Sequence, residues 1–130
     1  MKKILIISAN YYSEISSDLL SSAKEYLNNK YIIKDINVPG VFEIPVTISR
    51  NINNYDGFIA LGCVIRGETP HFDYISKAVM NGIMKISIEY KKPIGNAILT
   101  CSNKAQALAR KNKGKEAAIA VDYILSHDEI

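Results

Sequence analysis

Gly57-Phe-Ile-Ala-Leu-Gly-Cys-Val64, continued by Ile65-Arg-Gly-Glu-Thr-Pro-His-Phe-Asp-Tyr74, decides how the rest of the chain is read. The first segment is almost wholly apolar, which marks a strand buried on both faces, because a strand covered on one side only would alternate polar and apolar positions. It opens into a loop containing Gly67, and a helical pattern then runs from about Pro70 to Tyr90. A doubly buried strand feeding a long helix is one half of a parallel β-α-β unit.

The same alternation extends to both sides. Lys3–Ser8 predicts a first strand, and Leu19, Leu20, Ala23, Tyr26 and Leu27 recur at helical spacing across Ser16–Asn28, with Ser16 or Ser17 as N-cap. Tyr31–Val38 predicts a second strand ended by Pro39-Gly40, where glycine can take the positive φ of a tight turn. A short helix follows Pro45 to about Asn53. Beyond Pro93, Ile94–Thr100 predicts the fourth strand, and Lys104 to about Arg110 and Lys115–Ser126 predict two last helices. The expectation is one α/β domain over residues 1–130: a three-layer sandwich, flavodoxin-like, with a four-stranded parallel sheet and helices on both faces.

Composition removes several function classes. The net charge of +3 is mild and the lysines are dispersed, so nucleic acid is not implied. The start, Met1-Lys-Lys-Ile-Leu-Ile-Ile-Ser-Ala9, imitates a signal peptide, but its apolar run stops at Asn10 and fits a buried strand better. No apolar stretch approaches the roughly 20 residues that span a bilayer, so a cytoplasmic protein without a membrane partner is expected. Cys63 and Cys101 lie at or near strand ends without metal-type spacing, which predicts reduced core thiols and no metal site. A small domain buries a low fraction of its surface, so self-association would add burial and enclose a site.

Ligands of parallel sheets bind beyond the carboxyl ends of the strands, and the unusual chemistry of this chain collects there. Thr69 fits a helix N-cap and Pro70 the first helical position, so the free amides and positive dipole end of a long helix would face the crevice as an anion site. Gly67 would let the backbone approach a ligand, with Glu68 and Thr69 offering amides. His71 would stand at the mouth with a side chain suited to proton transfer near neutral pH. Pro39-Gly-Val-Phe-Glu-Ile-Pro45 presents Phe42 and Glu43 at a strand end, and Arg110 with Lys113 forms a small basic group able to clamp phosphate. Each feature has a plainer reading: a good helix start, a structural histidine, a core phenylalanine, solvated charges. His127, in a polar tail, reads as solvated.

Pro39-Gly-Val-Phe-Glu-Ile-Pro45, Gly62-Cys-Val-Ile-Arg-Gly-Glu-Thr-Pro-His-Phe-Asp-Tyr74, Ala97-Ile-Leu-Thr100 and Asn112-Lys-Gly-Lys-Glu-Ala-Ala118, in this order, resemble the lumazine synthases of riboflavin biosynthesis. The resemblance implies condensation of 5-amino-6-(D-ribitylamino)uracil with 3,4-dihydroxy-2-butanone 4-phosphate, giving 6,7-dimethyl-8-ribityllumazine, phosphate and water without a cofactor. It implies that His71 transfers protons, Glu68 and Thr69 form the phosphate loop, and Arg110 holds the phosphate, with Lys113 beside it. Val41, Phe42 and Glu43 would bind the pyrimidine and its ribityl chain, while Cys63, Val64 and Ile65 would lie along the heterocycle. Tyr11 falls where the family stacks an aromatic on the ring, and Tyr12, where many members have asparagine, is the other candidate. Asn96 replaces an aromatic given to a neighbour's pocket, Pro70 replaces a second threonine, and the segment after Arg110 is shorter than usual. A homopentamer with sites between subunits is implied, with a larger assembly left open. The rivals are a noncatalytic flavin- or lumazine-binding shell protein on the same fold, and a flavodoxin-like or receiver module.

Overall fold

The computed structural model describes residues 1–127. In chain order it contains β1 (Lys3–Ala9), α1 (Ser13–Leu27), β2 (Ile32–Val38), a 3-10 turn (Val41–Glu43), α2 (Ile44–Arg50), β3 (Gly57–Ile65), α3 (His71–Tyr90), β4 (Ile94–Cys101), α4 (Lys104–Leu108) and α5 (Lys113–Ser126). The strands form one parallel sheet in the order β2-β1-β3-β4. Register pairs Ile6 with Ile59, Ala60 with Asn96 and Ile65 with Cys101. The expected sandwich is therefore present, with β1 and β3 central and β2 and β4 at the edges.

Alternation along the strands builds two cores. Ile4 and Ile6 of β1, Ile59, Leu61 and Cys63 of β3, and Ala97 and Leu99 of β4 pack with Leu19, Ala23, Ala118 and Val121 under α1 and α5. Leu5 and Ile7, Phe58 and Ala60, and Ile98 point the other way, onto Ile44 and Ile48 of α2 and Val79 and Ile83 of α3. Each large side chain so buried contributes about 1.5–3 kcal/mol. The doubly apolar character of β3 follows from this, since it serves both cores.

Element ends depart from the sequence expectations by a few residues, for local reasons. Helix α1 begins at Ser13 rather than Ser16. Ser16 is only 3% exposed, its amide already makes a helical bond to Tyr12 O at 3.1 Å, and its hydroxyl donates to Ala9 O instead of capping. Helix α2 starts at Ile44 and stops at Arg50. Helix α3 starts at His71, because the Pro70 carbonyl, not Thr69, accepts from Asp73 N at 3.0 Å and Tyr74 N at 3.3 Å. Gly40 is extended at φ −152°, so the turn after β2 uses no positive φ. Helix α4 ends at Leu108, and α5 begins at Lys113, two residues before the expected start. Asn103 caps α4 by accepting from Gln106 N at 2.9 Å.

Candidate functional site

The carboxyl ends of β1, β2 and β3 surround a depression of about 330 Å³ lined by Tyr11, Tyr12, Gly40, Val41, Phe42, Cys63, Val64, Ile65, His71 and Ile75. Its rim is aromatic and open, with Tyr11 76% and Phe42 60% exposed. Large exposed rings at a concave surface mark a site for a flat, partly apolar ligand rather than a packing defect. The two tyrosine rings meet edge to face, centroids 4.9 Å apart. Tyr12 is half-buried and packs onto the α1/α5 core. Burial, then the neighbouring Tyr11 and Cys63, push its phenol above the ordinary value, so it is neutral at physiological pH.

Cys63 forms the floor. Burial first, then the Cys101 thiol beside it, push its pKa up to about 12. A thiol so held is protonated at neutral pH and is no nucleophile. Both cysteines are buried and free, as the sequence predicts.

The segment after β2 delivers its side chains through the 3-10 turn. Val41 is buried, Phe42 faces out, and Glu43 is half-buried. The Glu43 carboxylate lies against Gly40, where a Cβ would stand 3.3 Å from its Oε1, and Glu43 lines a neighbouring depression with Phe42, Pro45, Val46, Ala78 and Val79 rather than this one. Thr47 Oγ1 donates to Glu43 O at 2.7 Å and holds the turn against α2.

His71 is exposed at the first turn of the twenty-residue helix α3 and lines the depression. Gly67, Glu68, Thr69 and Pro70 are also exposed. Thr69 Oγ1 accepts from His71 N at 3.4 Å, a long contact that a stronger acceptor would displace. A helix end of this kind favours an anion beside His71.

Arg110 and Lys113 lie elsewhere. With Ile98, Leu99, Thr100, Cys101, Ala109, Asn112 and Glu116 they line a second depression of about 420 Å³ along β4. No residue lines both depressions. Arg110 Nη1 donates to Gln106 O at 2.6 Å, and Lys113 Nζ stands 3.4 Å from Glu116 Oε1. Asn96 is exposed on β4 outside both depressions. Its Oδ1 accepts from Ile98 N at 2.9 Å and its Nδ2 approaches Met80 Sδ at 2.8 Å. The sequence-predicted residues thus fall into an aromatic group with His71 and a cationic group in the α4–α5 segment, beside the end of the edge strand β4. His127 is exposed and stacks on Tyr123. Sequence reasoning missed Arg66, which reaches across the loop to Phe72 and Asp73.

No cluster of three or more potential metal ligands occurs among the described residues, and no helix among them is long and apolar enough to cross a membrane.

Comparison with known proteins connects this geometry to one family. The sequence profile described as 6,7-dimethyl-8-ribityllumazine synthase matches residues 1–127. A protein of that name from Novosphingobium aromaticivorans is 40% identical, with 97% of this chain and 96% of the relative aligned. Its namesake from Bartonella bacilliformis is 42% identical over 90% of this chain and 84% of the relative. Another, from Paramagnetospirillum magneticum, is 38% identical over 92% and 90%.

Proposed function

Because this chain belongs to the 6,7-dimethyl-8-ribityllumazine synthase family of riboflavin-biosynthetic transferases, we infer that its two depressions are the two halves of a condensing site. The enzyme joins 5-amino-6-(D-ribitylamino)uracil to 3,4-dihydroxy-2-butanone 4-phosphate, yielding 6,7-dimethyl-8-ribityllumazine, phosphate and water. The observation that carries the assignment of roles is His71 at the open end of α3, beside an aromatic depression and next to the exposed loop Gly67–Pro70.

The pyrimidine lies in the first depression against Val41, Phe42, Cys63, Val64 and Ile65, with Tyr11 over its face and Glu43 accepting from the ribityl hydroxyls. The phosphate of the second substrate sits at the amides of Glu68 and Thr69, held by Arg110 and Lys113. The aryl amine attacks the ketone and water leaves as an imine forms. Phosphate departs, and ring closure expels further water. Each step moves protons rather than forming an enzyme ester, which suits His71 and the protonated Cys63. The anion site lowers the cost of phosphate departure, and holding two substrates together supplies much of the remaining rate.

The separation of Arg110 and Lys113 from His71 within one chain supports a site shared between subunits. The cations lie in the α4–α5 segment, in a depression shared with Ile98–Cys101 of β4, an edge strand with no outer partner among the described residues. In a head-to-tail ring, here a pentamer, that edge meets the aromatic depression of the next subunit. Larger assembly is compatible with this arrangement. Free cysteines agree with a cytoplasmic enzyme.

Incubation with both substrates should generate lumazine fluorescence and free phosphate together; ligand binding without either product would favour the noncatalytic shell protein. For the shared site, an Arg110→Ala chain is co-refolded with a chain carrying Tyr11→Ala and His71→Ala. With equal mixing in closed rings, roughly a quarter of sites regain both intact halves. Demonstrated hybrid rings that stay as inactive as their parents would place all these residues within one chain's site.

A further inference from the structure

Arg66 is the last residue before the exposed loop Gly67–Pro70, and its contacts span that loop from both sides. Its backbone N–H donates to Cys101 O at 2.9 Å, which fixes it to the end of β4. Its side chain turns toward the first turn of α3. There Nη2 stands 3.2 Å from Asp73 Oδ1 and Nη1 3.5 Å from Asp73 Oδ2. The guanidinium carbon lies 4.4 Å from the centroid of the Phe72 ring. A planar fork that meets both carboxylate oxygens while resting on an aromatic face is a task for arginine and not for lysine.

Little else holds this loop. At Gly67 the space a Cβ would occupy has no atom within 4 Å, and Glu68, Thr69 and Pro70 are exposed. The ion pair is itself exposed, with side chains 51% and 59% accessible, so it adds little to global stability. Lys24–Asp35 joins α1 to β2 and Lys104–Glu14 joins α4 to α1, while Lys113–Glu116 lies within α5. Arg66–Asp73 joins only the two ends of one loop, and both of its α3 partners directly follow His71.

We propose that Arg66 is a positioning residue: strapped to Phe72 and Asp73, it pre-orders the Glu68 and Thr69 amides and the His71 side chain for the phosphorylated substrate. This rests on reading Gly67–Pro70 as the phosphate loop. An exposed loop left unstrapped would have to be ordered at each binding event, and that entropy would be subtracted from affinity.

The test is steady-state kinetics of Arg66→Ala, Asp73→Ala and the double variant, varying each substrate in turn. Each single variant should lower kcat/KM for the butanone phosphate about tenfold, equivalent to 1.4 kcal/mol, with the pyrimidine KM and the circular dichroism spectrum unchanged. The double variant should be no worse than the worse single one, because both changes cut one strap. Arg66→Lys should restore only part of the loss. Asp73→Asn, isosteric and exposed, serves if an alanine variant folds poorly. An Arg66→Ala defect much larger than that of Asp73→Ala, with losses that add, would mean that Arg66 touches the phosphate itself and would overturn the strap. Normal kinetics in Arg66→Ala while Thr69→Ala and His71→Ala are impaired would overturn the strap alone. Normal kinetics in all three would overturn the phosphate-loop reading with it.

Discussion

Gly114→Ala tests how closely α5 lies on α1. A Cβ at this position would stand 2.1 Å from Leu19 O, 2.5 Å from Ser22 Oγ and 2.9 Å from the Leu19 carbonyl carbon. Ser22 can rotate, but a helix carbonyl cannot. Restoring ordinary contact, near 3.5 Å between heavy atoms, requires the helices to part by about 1.4 Å. Alanine recovers up to about 1 kcal/mol of helix propensity, whereas overpacking costs about 1–3 kcal/mol and more where backbone must move. The expected net loss is about 2 kcal/mol, or a Tm lower by roughly 5–10 °C. The movement also reaches the cationic half-site. Ser22 Oγ donates to Lys111 O at 2.7 Å and accepts from Lys115 N at 3.1 Å, on either side of Lys113. The butanone-phosphate KM should therefore rise. Guanidinium unfolding followed by circular dichroism, at fixed protein concentration because the proposed assembly would couple to stability, gives the first quantity and initial rates the second. A variant as stable as the parent would refute the tight crossing. Gly67→Ala is the control: with no atom within 4 Å of its Cβ position, stability should not change although the phosphorylated substrate binds less well.

His71→Ala should slow turnover and reshape its pH profile while leaving Tm unchanged, because the side chain is exposed and outside both cores. A large loss of stability with full activity would return it to a structural role. Arg110→Ala should weaken the butanone phosphate far more than the pyrimidine, by about 1.5–3 kcal/mol for a charge-assisted contact; unchanged kinetics would transfer the role to Lys113. Asp122 accepts from Tyr31 OH, from Tyr26 OH at 2.8 Å and from Ser126 Oγ at 3.2 Å, and these bonds, Tyr31's foremost, hold its carboxyl below the usual value. A depressed carboxyl stabilises the fold above its unfolded pKa of about 3.9 and loses that contribution as pH falls through the folded value. Asp122→Asn should therefore flatten the acid limb of the guanidinium midpoint against pH, and an unchanged limb would exclude Asp122 as its source. Tyr31 is raised by burial first and then by Asp122, so its contribution is lost on the alkaline side instead.

What the sequence made legible was whatever burial writes into local composition. β1 and β3 serve two cores, so their apolar runs needed no context, and the motifs at their carboxyl ends had one crevice to enter. Boundaries were less legible where a tertiary bond outcompeted a local rule. Ser16 looked like a cap but gives its hydroxyl to Ala9 O, and α3 starts one residue later than Thr69 would imply, because the Pro70 carbonyl accepts from Asp73 N and Tyr74 N while Thr69 Oγ1 makes only a long contact to His71 N. The Tyr26–Tyr31–Asp122 cluster joins residues far apart in the chain, so no spacing announces it. The Arg66–Asp73 pair is separated by seven residues across a loop, where helical periodicity carries no information.

Asn96 shows why a residue's position in a motif does not settle its role. An aromatic at that place, which the resemblance implies for many relatives, would in the proposed ring project from the edge strand toward a neighbour's ligand. The asparagine instead turns inward along its own chain, its oxygen taken by Ile98 N and its amide directed to Met80 Sδ. It has little left to offer a ligand without breaking those contacts, whereas Arg110 and Lys113, in the α4–α5 segment beyond the end of β4, line the open second depression. In the proposed shared site, the β4 side of the subunit would therefore bring cationic rather than aromatic chemistry to its neighbour, and stacking on the heterocycle would fall to the chain's own Tyr11, which Tyr12 braces edge-on.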